Sequence, residues 1–188
     1  MNAIRSFIAC ELDPLTKERL SLLVTHLKKS NADVKWIPTE NIHFTLKFLG
    51  NVERDEIKHI SSELNDILRD PSCFNIRLSA IGGFPDLSKP RVIWIGLKEG
   101  GDCLISLALA IEERLVRLGF QKENRDFRPH LTLGRVRSLK NIEELQNLIE
   151  GLKLGLETPV RMDKIILYQS TLTQKGAVYT PLSTHLLK

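Results

Sequence analysis

The stretch Ile42–Gly50, IHFTLKFLG, sets a histidine and a threonine two residues apart inside an otherwise apolar run. In an extended strand, residues i, i+2 and i+4 share a face. His43, Thr45 and Lys47 are therefore predicted to point one way, and Phe44, Leu46 and Phe48 the other. The second set suits packing under helices; the first carries imidazole and hydroxyl. The same His-x-Thr-Leu pattern returns 87 residues later at His130, in PHLTLGR from Pro129 to Arg135. His130 and Thr132 are predicted to share a face opposed to Leu131 and Leu133.

Around these two strands the chain reads as mixed structure. RSFIACEL near the N-terminus is strand-like, and Asp13-Pro14 then forms a helix start, a capping side chain followed by proline in the first turn. Leu20, Leu23, Val24 and Leu27 fall on one face of that helix. VKWI is a short strand. The segment from Glu53 repeats a helical pattern through Ile57, Ile60, Leu64, Ile67 and Leu68, with acidic residues where the helix dipole favours them. CFNIRLSAI and RVIWIGL read as strands around the loop GGFPDLSKP. A helix over 102–118 follows, then the strand FRPHLTLGRV and the helix NIEELQNLIEGL. Two strands, MDKIILYQSTL and AVYTPLSTHLL, close the chain through a turn at Gln174-Lys175-Gly176.

Strand, helix, two strands and helix recur as a loose duplication, with one His-x-Thr strand in each half and no Gly-, Ser- or Pro-rich linker between them. The expectation is an α+β fold with antiparallel sheets, residues 1–188 forming a single domain of two lobes with one motif per lobe. If a pseudo-two-fold axis relates the halves, their polar faces oppose each other across a cleft.

Composition sets the wider bounds. With 42% hydrophobic and 27% charged residues the 188-residue chain can bury a core, and a net charge of +4 permits an anionic partner without demanding one. Cys10, Cys73 and Cys103 form no CxxC pair and are expected to serve the core of a protein in a reducing compartment. No segment approaches the roughly 18 apolar residues of a membrane span, and the N-terminus lacks a signal peptide's apolar stretch. The expected location is cytoplasmic.

Two histidines and two hydroxyls around one point suit a particular reaction. One imidazole can be neutral while the other is protonated near neutral pH. The first can take a proton from water as the second gives one to a leaving oxygen. Threonines donate hydrogen bonds without adding charge, as the oxygens of a phosphoryl group require. The pattern points to phosphodiester hydrolysis with neither metal nor cofactor; HExxH and paired CxxC motifs are absent. With ten threonines among 188 residues, a given histidine has one at +2 only about one time in twenty. Two matched copies in strand context are thus poorly explained by chance.

At these residues the chain resembles the 2H phosphoesterases, and within them the RNA 2',3'-cyclic phosphodiesterase group, also described as 2'-5' RNA ligases. RSFIACEL, WIPTENIHFTLKFLG, GGFPDLSKPRVIWIGL, FRPHLTLGRV and YQSTLTQKGAVYTPL look like that family's blocks in that family's order. The resemblance implies two antiparallel sheets lining a V-shaped cleft, helices outside, and hydrolysis of RNA 2',3'-cyclic phosphate ends to 2'-phosphates. It implies His43 as general acid on O3', His130 as general base on water, and Thr45 and Thr132 on phosphate oxygens. Strand periodicity alone leaves the acid–base division open. RNA ends, tRNA fragments among them, are the expected partner, and a monomer the expected state. The alternatives are 2'-5' ligation, hydrolysis of a small nucleotide cyclic phosphate, and a non-catalytic RNA-end binding module.

Individual residues divide further. Phe84 is either a loop aromatic stacking on the terminal base, as the resemblance implies, or a packing anchor. Arg135 is a candidate nucleotide contact by resemblance, but strict alternation puts it on the apolar face with Leu131 and Leu133. A bulge at Gly134 would relieve this. Lys47 and Arg128 read as solvated charges, His26 and His59 as surface residues, His185 as a histidine without a matched partner, and Trp36 and Trp94 as packing residues.

Overall fold

The computed structural model describes residues 3–69, 74–152, 158–174 and 176–187; Cys73 and Lys175 lie outside them. The elements run β1 (Ile4–Glu11), α1 (Pro14–Leu27), β2 (Val34–Trp36), β3 (His43–Val52), α2 (Glu56–Ile67), β4 (Phe74–Phe84), β5 (Val92–Glu99), α3 (Gly101–Arg117), β6 (Leu131–Val136), α4 (Ile142–Glu150), β7 (Val160–Met162), β8 (Lys164–Thr173) and β9 (Gly176–Leu186). The fold is α+β, as expected. Two strands stand between α1 and α2, and one between α3 and α4.

All strand pairs are antiparallel and form two sheets, β3-β1-β8-β9 and β2-β6-β5-β4-β7. Each sheet takes strands from both halves of the chain. β2 leaves the N-terminal half to join the second sheet, and β8 and β9 return to complete the first. The crossing back occurs at Asp163, between β7 and β8, where the Asp163 carbonyl accepts from the Leu187 N–H at 2.8 Å. This exchange accounts for the missing linker.

Helices cover the outer faces. Asp13 caps α1, accepting from the Thr16 N–H at 2.9 Å and the Thr16 hydroxyl at 2.6 Å, with Pro14 in the first turn. Such a cap stabilises by about 1 kcal/mol. The predicted face of α1 (Leu20, Leu23, Val24, Leu27) is buried. α3 packs on β3 and α2, while α1 packs on α4. One continuous apolar core joins these layers, with Ile8, Phe44, Leu46, Ile93, Ile111 and Leu131 among its members. No described helix is long and apolar enough to cross a membrane.

Strict alternation fails in β3. Thr45 faces Ala9, but Lys47, not Leu46, faces Ile8, so Leu46 is an extra residue in a β-bulge. Beyond it the faces exchange. Lys47 turns into the protein, and Phe48 turns out to 62% exposure. The expected solvated Lys47 is thus a buried one, and Phe48 does not hold the strand to its core. The Lys47 ammonium lies 3.0 Å from Glu112 Oε1 on α3 and donates to the Gln121 carbonyl at 3.0 Å. Burial works upward on the Glu112 carboxyl, but the Glu123 N–H and Lys47 hold it below its ordinary value.

Other expectations change for similar reasons. Gly82, Gly83 and Phe84 belong to β4, paired with Trp94, Ile93 and Val92, and not to a loop. β6 begins at Leu131, so His130 stands at its threshold. Cys10 is buried as expected, whereas Cys103 is exposed on α3. His185 is buried and has partners: its Nδ1 meets Asn65 Oδ1 at 2.6 Å and its Nε2 the Ser183 hydroxyl at 2.9 Å.

Candidate active site

His43 opens β3 and His130 immediately precedes β6. These two strands, from different sheets, are in contact. The imidazoles are held alike. His43 Nδ1 lies 2.8 Å from the Asn41 carbonyl, and His130 Nδ1 lies 2.7 Å from the Arg128 carbonyl. A carbonyl can only accept, so in each ring Nδ1 carries a hydrogen and Nε2 is left to react. His43 Nε2 accepts from the Thr45 hydroxyl at 3.0 Å.

The surroundings of the two rings differ. His43 sits in an aromatic nest on the uncovered face of its sheet, stacked on Phe7 (4.9 Å between centroids, 24°) and edge-on to Tyr179 (5.4 Å, 77°). Tyr168 stacks on the same Phe7 at 5.3 Å. Burial pushes the His43 pKa down to about 4; the Asn41 carbonyl and Glu11 oppose this, and the Lys17 charge adds to it. His43 is therefore neutral at pH 7 in the ligand-free protein. His130 instead meets Phe84 edge-on at 5.3 Å, and Phe84 stacks on Trp94 at 4.9 Å. The Trp94 ring lies over Gly82, where an added Cβ would come within 2.4 Å of it. Its buried indole N–H has no hydrogen-bond partner among the described residues.

The bulge that displaces Lys47 has a counterpart in β6. Gly134 faces Ile93 and Thr132 faces Trp94, so Leu133 is extra. Arg135 consequently faces Val92 and joins Thr132 on the uncovered face, which removes the parity objection to it. Its charge acts on the Tyr179 phenol of the other sheet, together with that of Arg5. Arg128 is exposed.

The first sheet curls until its margins meet. The Asn41 side-chain amide donates to the Ala177 carbonyl of β9 at 2.8 Å, tying the turn that orients His43 to the β8–β9 hairpin. A cavity of about 250 Å³ beside His43 is bordered by Glu11, Lys17, Asn41, Tyr168 and Tyr179. A larger one, about 720 Å³, lies off the histidines between Phe48 and the segment 118–125. Among the described residues no three His, Cys, Asp or Glu side chains gather as a metal-binding group.

Sequence reasoning missed Phe7, Asn41, Tyr168 and Tyr179. Alternation in RSFIACEL could have put Phe7 opposite the core residues Ile8 and Cys10. Nothing local could have brought Tyr179 beside His43, because that contact depends on the curl of the sheet.

Comparison with known proteins adds to this geometry. A family model described as LigT like Phosphoesterase matches residues 11–94 and 95–179, one motif in each match. The RNA 2',3'-cyclic phosphodiesterase of Methanothermobacter thermautotrophicus is 35% identical over 95% of this chain and 96% of its own. The protein of the same name from Methanocaldococcus jannaschii is 37% identical over 94% and 96%. Among solved structures, E. coli LigT complexed with 3'-AMP superposes with a TM-score of 0.78 at 25% identity, covering 100% of this chain and 99% of that one. The fold also matches TT0787 of Thermus thermophilus at a TM-score of 0.80 and 23% identity over 98% of each chain.

Proposed function

The chain belongs to the LigT-like phosphoesterase family, and from that premise we propose that it hydrolyses the 2',3'-cyclic phosphate at RNA ends to a 2'-phosphate by paired-histidine acid–base catalysis, without metal. The observation that carries the proposal is the matched tethering of two imidazoles, each with Nδ1–H on a carbonyl two residues earlier and Nε2 left on a threonine-bearing face. The substrate class comes from the names of the relatives. The working unit is a monomer of two lobes in the cytoplasm, with tRNA fragments among its substrates.

In the reaction one imidazole removes a proton from water as the water oxygen bonds to phosphorus. The P–O3' bond breaks, and the other imidazole protonates O3'. The products are a 2'-phosphomonoester and a 3'-hydroxyl. Each transfer contributes about 10²–10⁴ in rate. Thr45 and Thr132 donate to the non-bridging oxygens. Thr45 then leaves His43 Nε2, which frees that nitrogen to take a proton. Phe84 and Arg135 hold the terminal nucleotide.

In this proposal His43 is the acid and His130 the base, the anionic phosphodiester beside Nε2 raising the pKa of His43 and loading its proton. The lowered pKa of the free protein favours a second reading, with neutral His43 as base and His130 as acid. A substrate whose 3' leaving atom is sulfur separates the two, since a thiolate departs without a proton. Whichever alanine variant it rescues has lost the acid.

The central test incubates EDTA-treated protein with an oligonucleotide ending in a 2',3'-cyclic phosphate. Conversion to the 2'-phosphate supports the proposal. A strict metal requirement or a 3'-phosphate product overturns the mechanism, and binding without turnover would make the protein an RNA-end module. Joined 2'-5' ends would mark ligation, and a preference for small cyclic nucleotides would move the substrate class.

A further inference from the structure

Glu11 ends β1 directly opposite His43, on the face that carries Phe7 and Ala9. Cβ atoms of residues paired in this way stand about 5 Å apart. The Glu11 carboxylate is held on both sides: Lys17 Nζ of α1 lies 2.7 Å from Oε1, and Lys164 Nζ of β8 lies 2.9 Å from Oε2. Burial works upward on this carboxyl, but the two lysines hold it below its ordinary value, so it is charged at neutral pH. Lys17 also donates to the Glu40 carbonyl in a longer contact of 3.4 Å. Glu40 belongs to the 3-10 turn Thr39–Asn41 that leads into β3. The next carbonyl along, that of Asn41, is the one that fixes His43 Nδ1.

That turn is gripped from two sides, by Lys17 at the Glu40 carbonyl and by Ala177 of β9 at the Asn41 side chain. Glu11 and Lys17 both border the cavity of about 250 Å³ that His43 also lines. The other titratable groups around the ring are the phenols of Tyr168 and Tyr179, which burial pushes up and leaves uncharged at neutral pH. One fixed charge of each sign therefore stands beside an imidazole that has to gain and lose a proton. Such a placement does more than tie β1, α1 and β8 together.

We propose that Glu11 and Lys17 are positioning residues for His43: the pair steadies the turn whose carbonyl orients the imidazole, and its two charges set the balance against which Nε2 takes up a proton. The proposal rests on the phosphodiesterase reading and deepens it. Both assignments of acid and base pass through an imidazolium at His43, so either draws on that balance. An adjacent carboxylate favours the imidazolium and an adjacent ammonium opposes it. At His43 burial is the main depression, Lys17 adds to it and Glu11 works against it. With Lys164 counted, two ammoniums face one carboxylate, and the surplus positive charge is offset when a phosphodiester anion enters.

Imidazole NMR titration of the ligand-free protein tests this separately from turnover, with the His130 ring as internal control. Lys17→Gln is expected to move the His43 titration upward from about 4 by about half a pH unit or more, and Lys17→Arg to leave it in place. Glu11→Gln is expected to move it the other way, or to keep the ring neutral until acid unfolds the protein. A structural role alone gives a different pattern, since either loss would loosen the turn, expose the ring and raise its titration. An upward shift in Glu11→Gln therefore overturns the proposal. Where that variant does not fold, the lysine variants decide, and equal shifts in Lys17→Gln and Lys17→Arg overturn it. On RNA with a 2',3'-cyclic phosphate end, the limb of the pH–rate profile that belongs to His43 is expected to shift with its titration in each variant, in kcat more than in KM. If the titrations move as expected and nothing is hydrolysed, the phosphodiesterase reading has failed and the positioning of His43 stands.

Discussion

Lys47 and Gly134 occupy the same place in the two motif strands: each re-enters register after a bulged leucine, and each turns toward the covered side of its sheet. The same local device meets different surroundings. Behind Lys47 lie Glu112 of α3 and the Gln121 carbonyl, which satisfy a buried cation. Beside Gly134, in the same sheet, lies β2, so near that an added Cβ would come within 2.5 Å of Val34 Cγ1 and 3.2 Å of the Trp36 ring. A long charged side chain is accommodated behind one motif strand and no side chain at all at the other. In both, the next residue emerges on the open face, as Phe48 or as Arg135.

Because Lys47 is only 2% exposed and Glu112 14%, truncation leaves a partly buried carboxylate unpaired. Lys47→Ala is expected to cost about 3–5 kcal/mol, since breaking one partner of such a pair strands the other. Denaturant unfolding of the variant measures it. A loss below about 1 kcal/mol, the range of exposed pairs, would show that the pair contributes no more than a surface contact.

Gly82→Ala forces the Trp94 ring off the sheet, and with it the Phe84 ring that meets His130. Overpacking of this kind costs about 1–3 kcal/mol. Fluorescence in a Trp36→Phe background reports the ring's new environment, and kcat/KM is expected to fall. An unchanged spectrum would mean that the indole does not lie where Gly82 makes room for it.

His43 titrates near 4 when folded, against an ordinary 6.5. A depressed histidine favours folding while it stays neutral. Its contribution is therefore complete above the unfolded value and is lost as pH falls through the folded one. Acidification between about 6.5 and 4 is expected to remove on the order of 2–3 kcal/mol of stability, with His185, also lowered by burial, acting in the same direction. Unfolding curves for wild type and His43→Ala across that window check this. The variant's stability is expected to be the flatter, and identical slopes would contradict the assignment.

His43→Ala and His130→Ala are each expected to reduce kcat by about 10²–10⁴ with the fold retained. Adding a 2'-phosphorylated nucleotide is expected to move the His43 NMR titration upward from about 4, because an adjacent anion favours the imidazolium. Near wild-type turnover in either variant removes that histidine from the chemistry.

Legibility in the sequence stopped where pairing across strands took over from alternation along them. His43 and Thr45 precede the bulge at Leu46, and Thr132 the bulge at Leu133, so simple alternation holds for these three within their strands, while His130 stands just before β6. Lys47, Phe48 and Arg135 follow the bulges, whose positions depend on how β1 and β5 pair with the motif strands. α1 was readable because its cap, proline and apolar stripe are local. β7, three residues long, carries too little pattern to be seen. His185 found its partner in Asn65, 120 residues away on α2, a distance no local reading spans.

The return of β8 and β9 to the first sheet also bears on biosynthesis. A nascent chain exposes both histidines before the hairpin that backs Phe7 with Tyr168 and fixes Asn41 through Ala177 has been translated. Domains form as units during synthesis, and here the first sheet is completed by strands that follow the second sheet in the chain. On the paired-histidine proposal, catalytic competence therefore waits for β8 and β9, which are translated after both histidines.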